Sequence, residues 1–314
     1  MERSEYPAGT RGGWRKDAGN PFLRWSEHGT CFDPTILTDE APHAKYRLYF
    51  SWRPQNAIAV VESGDAKNWS RPRIVLGSVP RGGFAEHEIN RQIVLKHNGV
   101  YHMWYSGQGP DRKQPGHARI FHAVSPDGYE WKRDGGCALE GSGEWEKLGV
   151  MCPHVIRDEE KGCFAMWYSG MRDGGSMYEP DAIGYAESAD GVTWRKPFPD
   201  PVFRASDIPG GDIMKVTACQ VLKSGGRYVM FYIGFLDHDR ATIRLARSKS
   251  GVGGWEEFPH NPIIAADPGS WDGDSCYKPS ACFDGTRWML WYNGRRGGPE
   301  QLGLAVRESA DLWS

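Results

Sequence analysis

The pentapeptide MWYSG stands at Met103–Gly107 and again at Met166–Gly170, and looser copies begin at Leu48, Met230 and Met289. Aligned on their tyrosines, Tyr49, Tyr105, Tyr168, Tyr232 and Tyr292, the copies lie 56, 63, 64 and 60 residues apart. A period of this size marks a supersecondary unit that cannot bury its own apolar surface and must stack on its neighbours. Each copy is followed by a loop and a second shared phrase (AIAVVES, RIFHAVS, AIGYAES, TIRLARS, QLGLAVRES). Then come a turn and a tryptophan, and before each copy runs another apolar stretch. The short KHNGV, KSGGR and FDGTR segments read as hairpin turns. In YHMWYSG, Tyr101, Met103 and Tyr105 point one way and Trp104 the other, as in a strand covered on both faces.

Three or four strands per repeat and five repeats predict an all-β chain forming one five-bladed β-propeller. The blades fall at about residues 24–80, 81–140, 141–204, 205–264 and 265–314. The last repeat lacks an outer strand, and GWRKDAGNPFL at Gly13–Leu23 matches the missing piece. The N-terminal strand is therefore expected to complete the fifth blade and close the ring, leaving no free sheet edge. Fourteen Trp, 13 Tyr and 12 Phe supply an aromatic core, and 40 Gly with 21 Pro suit many short strands and turns.

A net charge of −2 argues against a nucleic-acid partner. No apolar run approaches the ~20 residues of a membrane span, and the first residues carry no apolar signal core. The seven cysteines include no CxxC pair, so neither a metal nor another cofactor is expected. These features predict a cytoplasmic protein with reduced thiols.

In the expected strand order, the loops entering the innermost strands and those joining the second and third strands share one face. Function is expected there, over the central funnel. In phase with the repeat, Asp33, Asn90, Cys152, Thr217 and Lys278 are expected to face the axis, with Glu88, Arg91, Met151, His154, Lys215 and Tyr277 beside them. Trp25, Trp145, Tyr178, Trp271 and Tyr277 lie in or near these loops and could stack on a sugar face.

The repeat, its aromatic anchors and the Asp33–Pro34 pair opening the first innermost strand resemble the five-bladed glycoside hydrolase superfamily (families 43, 32, 62, 68 and 117 and the family 130 phosphorylases). The resemblance spans nearly the whole chain. It implies a small-molecule, sugar-like substrate, with Asp33 as base or nucleophile. The second implied carboxylate is replaced by Asn90, and the implied acid beside Cys152–Pro153 by Met151. A glycosidase needs two carboxyls flanking the bond. Glu88 is the first substitute, with Asp274, Asp212 and Glu146 as further candidates. The sequence reading thus assigns catalysis to Asp33, Glu88 and Asp274. It assigns substrate binding to His28, His87, Asn90, Arg91, His154, Asp212, Lys215, Tyr277 and Lys278. Arg91, His154, Lys215 and Lys278 could instead ring an anion, as in a phosphorylase or a non-hydrolytic propeller handling an anionic sugar-like metabolite. A protein-binding scaffold is the remaining alternative.

Overall fold

The computed structural model describes residues 8–41, 44–79, 86–172 and 179–313, the side chains of 39–41 apart. It is almost wholly β, with one short helix, α1 (Trp25–His28). After β1 (Trp14–Lys16), the strands fall into antiparallel meanders. The first holds β2 (Cys31–Ala41), β3 (Ala44–Trp52), β4 (Ala57–Ser63) and β5 (Arg73–Gly77). The second holds β6 (Glu88–His97), β7 (Val100–Gln108), β8 (Ala118–Ser125) and β9 (Lys132–Leu139). The third holds β10 (Gly149–Asp158), β11 (Cys163–Met171), β12 (Ala182–Ser188) and β13 (Phe203–Arg204). The fourth holds β14 (Lys215–Ser224), β15 (Arg227–Phe235), β16 (Ala241–Ser248) and β17 (Glu256–Glu257). The last holds β18 (Ser275–Phe283), β19 (Trp288–Arg295) and β20 (Glu300–Arg307), and β1 adds to β20 with Trp14 opposite Arg307. The first strand of the chain is thus the outermost strand of the last meander. The innermost strands β2, β6, β10, β14 and β18 touch in cyclic order, β18 against β2. This is propeller architecture.

The recurring pentapeptide is the second strand of each meander, and each of its letters has a packing task. Met103, Trp104 and Tyr105 are fully buried, as are Met166 and Trp167, in clusters that bridge adjacent blades. The tyrosine meets a carboxylate. Tyr105 donates to Glu86, which Arg133 holds at 2.9 Å, and Tyr292 donates to Asp272 at 3.0 Å, which Lys16 holds at 2.7 Å. Tyr232 donates to Glu257, paired with Arg244, and Tyr168 sits against Glu146, paired with Lys196 at 2.6 Å. Only Tyr49 differs, donating to the Gly128 carbonyl. The glycine leaves room for a ring: a Cβ on Gly170 would stand 2.2 Å from Trp145.

The serine reaches the next blade. Every innermost strand carries a bulge after its first residues. One non-glycine residue there has a left-handed backbone: Asp33 (φ 54°), Arg91 (55°), Cys152 (54°), Ala218 (37°) and Lys278 (42°). Such a conformation costs ~1–2 kcal/mol per residue and persists where its surroundings impose it. Here the neighbouring blade does so. Ser51, Ser106 and Ser169 accept the backbone N–H of Arg91, Cys152 and Ala218 at 2.9–3.0 Å, and Asn293 accepts that of Asp33 at 3.3 Å. The structure corrects the expected phase: Arg91 and Ala218, not Asn90 and Thr217, are the equivalents of Asp33.

Candidate functional site

A cavity of about 250 Å³ opens at the funnel, lined by Asp33, Arg91, Cys152 and Ala218 from the bulges. Arg53, Glu179, His238, Asp239, Arg295 and Glu300 line it from the loops between second and third strands and from the strand ends beside them. Its volume lies just under the ~300–1,000 Å³ typical of drug-sized ligands, so one small ring fills it.

Three carboxylates converge there. Asp33 is buried, and its Oδ2 lies 3.3 Å from the Ser51 hydroxyl that donates to it. Its backbone is fixed on both sides, because Gln92 donates to its carbonyl at 2.7 Å while Asn293 accepts from its N–H. The same Asn293 amide donates to Glu300, so one side chain ties two of the acids together. Burial, followed by the Asp33 charge, raises the Glu300 carboxyl to about 7, against the pull of Arg53 and Arg91. Burial and then Asp33 also raise Glu179, whereas Arg91 and Lys215 lower it. Arg91 sits between them: its guanidinium is 3.8 Å from Glu179 and within electrostatic reach of Asp33 and Glu300, which keep it protonated. Two acids pushed up beside a third charge form the arrangement that separates acid and base roles.

One wall is built between the fourth and fifth blades. The Asp239 carbonyl accepts from Ser275, Tyr277 and Arg295 at 2.8–3.2 Å, and its carboxylate pairs with Arg295 at 2.7 Å.

Of the residues singled out from sequence, Asp33, Arg91, Cys152, Thr217 and Tyr277 line the cavity. Glu88 and Asp274 do not. Glu88 is ion-paired with Arg112 at 3.1 Å, and Asp274 accepts the Gly297 N–H. His28 lends its carbonyl to Trp52, and exposed His87 lends its own to Asn56. Asn90 is buried between Arg91 and Gln108, and Asp212 pairs with Arg244 on the surface. His154 is buried against the Val221 carbonyl, and burial lowers its ring to about 3, so it stays neutral. Lys215 lies behind Glu179, donating to its carbonyl at 3.2 Å. Lys278 occupies the fifth bulge, with its charge felt by Cys152 and Cys219. Glu146 serves beneath Tyr168, as described above. Trp145 and Trp271 stack on Tyr168 and Tyr292 over glycines, while Trp25 is exposed and Tyr178 lies outside the described residues. Among the described residues no His, Cys, Asp and Glu cluster fits a metal ion, and no helix is long and apolar enough to cross a membrane.

Sequence reasoning missed Glu179 and Glu300. A weak signal existed: each sits at the end of the loop following an anchor strand, just before the phrase that opens the third strand.

No known family profile matches this sequence. It is 28% identical over 310 residues to the uncharacterized protein Rv1502 of Mycobacterium tuberculosis, covering 91% of this chain and all of that one. It is 26% identical over 200 residues to a 1,2-beta-oligomannan phosphorylase of a Thermoanaerobacter species, 60% of this chain and 59% of that one. Among solved structures, an N-acetylgalactosamine deacetylase from F. plautii aligns at TM-score 0.72 with 14% identity, over 98% of this chain and 96% of that one. A thermostable family-43 glycoside hydrolase aligns at 0.71 with 19% identity, over 91% and 94%. An exo-1,5-alpha-L-arabinanase from a bovine ruminal metagenome aligns at 0.63 with 21% identity, over 94% and 95%. At these identities the likeness establishes the fold, that of the propeller glycoside hydrolases which the repeat resembles.

Proposed function

We propose that the protein is a glycosidase-like enzyme acting on a small glycoside or sugar derivative, with Asp33 as base or nucleophile and Glu300 as proton donor. The observation that carries this reading is the convergence of Asp33, Glu179 and Glu300 around Arg91 in one cavity of single-sugar size. Glu300, raised to about 7, holds a proton near neutral pH and can pass it to a departing glycosidic oxygen. Asp33 supplies the opposing carboxylate, toward either a water or the anomeric carbon. Glu179, Tyr277 and Arg91 orient the ring. Glu300 takes the place first given to Glu88 and Asp274.

The reading is tested with 4-nitrophenyl glycosides of arabinofuranose, xylose and mannose and with the matching oligosaccharides. Turnover should be lost in both D33N and E300Q while neither variant melts below the parent. Full activity in either variant overturns its assigned role.

A second reading, cleavage by phosphate rather than water, draws support from the phosphorylase relative and from Arg53 and Arg91 lining the same cavity. The anion ring first expected does not assemble, since His154 and Lys215 are engaged elsewhere. Turnover that persists undiminished without phosphate excludes this second reading.

A further inference from the structure

Asp33 lies in β2 and Glu300 opens β20, but Glu179 sits in a loop. It lies outside any strand, and the ladder of β12 begins only at Ala182, opposite Gly170. Between them Pro180 has no N–H to offer, and among the described residues the segment's backbone tie to the neighbouring strand is the Asp181 N–H on the Gly170 carbonyl at 2.9 Å. A catalytic geometry held within fractions of an ångström needs more support than this.

That support crosses a blade boundary. Lys215 is the first residue of β14, the innermost strand of the fourth blade, and is only 6% exposed. Its ammonium donates to the Glu179 carbonyl at 3.2 Å and stands 3.5 Å from the Asp181 carboxylate. A second oxygen of Asp181 accepts the Arg172 N–H at 3.1 Å, pinning the other end of the segment. From the opposite side, Arg91 of the second blade approaches the Glu179 carboxylate at 3.8 Å. Glu179 is therefore held by its backbone from one neighbouring blade and met at its carboxylate from the other.

We propose that Lys215 is the positioning residue for Glu179, seating residues 179–181 so that the carboxyl stays over the cavity beside Arg91. The proposal rests on the reading of Glu179 as part of the acting carboxylate set. Lys215 touches no substrate in this role; it acts through Glu179. The charged groups facing Glu179 are Asp33, Arg91, Lys215, Arg112 and Glu300. Removing the Lys215 charge raises the Glu179 carboxyl further, so ionised Glu179 is reached only at higher pH.

Two measurements test this on the intact chain with K215M and K215R. Hydrogen exchange of peptides spanning 172–182 should be ~10-fold faster in K215M and largely restored in K215R, with the rest of the fourth blade unchanged. On whichever nitrophenyl glycoside the parent turns over, K215M should lower kcat ~10-fold or more with little change in KM and should move the acid limb of the pH profile upward. Exchange in K215M equal to the parent overturns the proposal, as does a K215R variant no better than K215M. If the parent turns over none of the glycosides, the catalytic reading fails on its own, and the exchange measurement still decides the tether.

Discussion

Glu146 is a buried acid and Glu300 a half-buried one, and they belong to two regions with opposite logic. Beneath the anchor tyrosine, one oxygen of Glu146 takes the Ser142 N–H, the Ser142 hydroxyl and the Lys196 ammonium, all within 2.9 Å. In the funnel, Glu300 receives one amide donor from Asn293, and its nearest charges oppose one another. A buried carboxylate met by its own cation is architecture, and its removal unsettles the fold. A carboxylate left short of partners, beside another of its kind, is available for a proton or a substrate. The same distinction separates Asp272, clamped by Lys16 and Tyr292, from Asp33, whose carboxylate meets the Ser51 hydroxyl and, among the described residues, no cation at ion-pair distance.

The largest expected break in this comparison is functional. E300Q and D33N should each lose ~10²–10⁴-fold in kcat with no loss of thermal stability, as befits general acid–base groups. A melting temperature that falls along with the activity would move these residues into the architectural class. The counterpart is K196M, which strands Glu146 in the interior. It should destabilise by ~3–5 kcal/mol in urea titrations, while the molecules that remain folded keep full turnover. Weaker, but diagnostic of the seams between blades, is S106A. It leaves the Cys152 N–H without its acceptor and should cost ~1–3 kcal/mol in the same titration.

The smallest effect carries the sharpest sign. The folded protein binds the Glu300 proton more tightly than the unfolded chain does, so its contribution to stability is full in acid. It fades as pH rises from the ordinary carboxylate range to about 7. E300Q should therefore melt above the parent at pH 8, with the difference shrinking toward pH 4. A constant offset across that range would remove the proton from the account.

The repeat was legible because its packing demands recur at fixed positions. Two-sided aromatic strands, hairpin turns and the orphan strand at Gly13–Leu23 led to a propeller. Trp14 and Lys16 do pair with Arg307 and Ala305. The site was harder to read for two physical reasons. A bulge adds a residue to each innermost strand, and without coordinates the phase slips by one. That slip put Asn90 and Thr217 where Arg91 and Ala218 stand. The acids were misplaced because sequence proximity to the innermost strand favoured Glu88, whose side chain turns outward to Arg112. Glu179, in a loop, and Glu300, at the start of β20, lie more than 140 residues distant from Asp33 along the chain, and only the closing of the ring brings them together.

The pairing of β1 with β20 has a consequence in time. A ribosome adding ~5–20 residues per second takes roughly 15–60 s to travel between those two strands. Through that interval Trp14 has no sheet to join, and the edge of β20 does not yet exist. The ring therefore cannot seal blade by blade during synthesis. β1 has to wait, unpaired, for β20, and a nascent chain that holds the first without the second is an open arc.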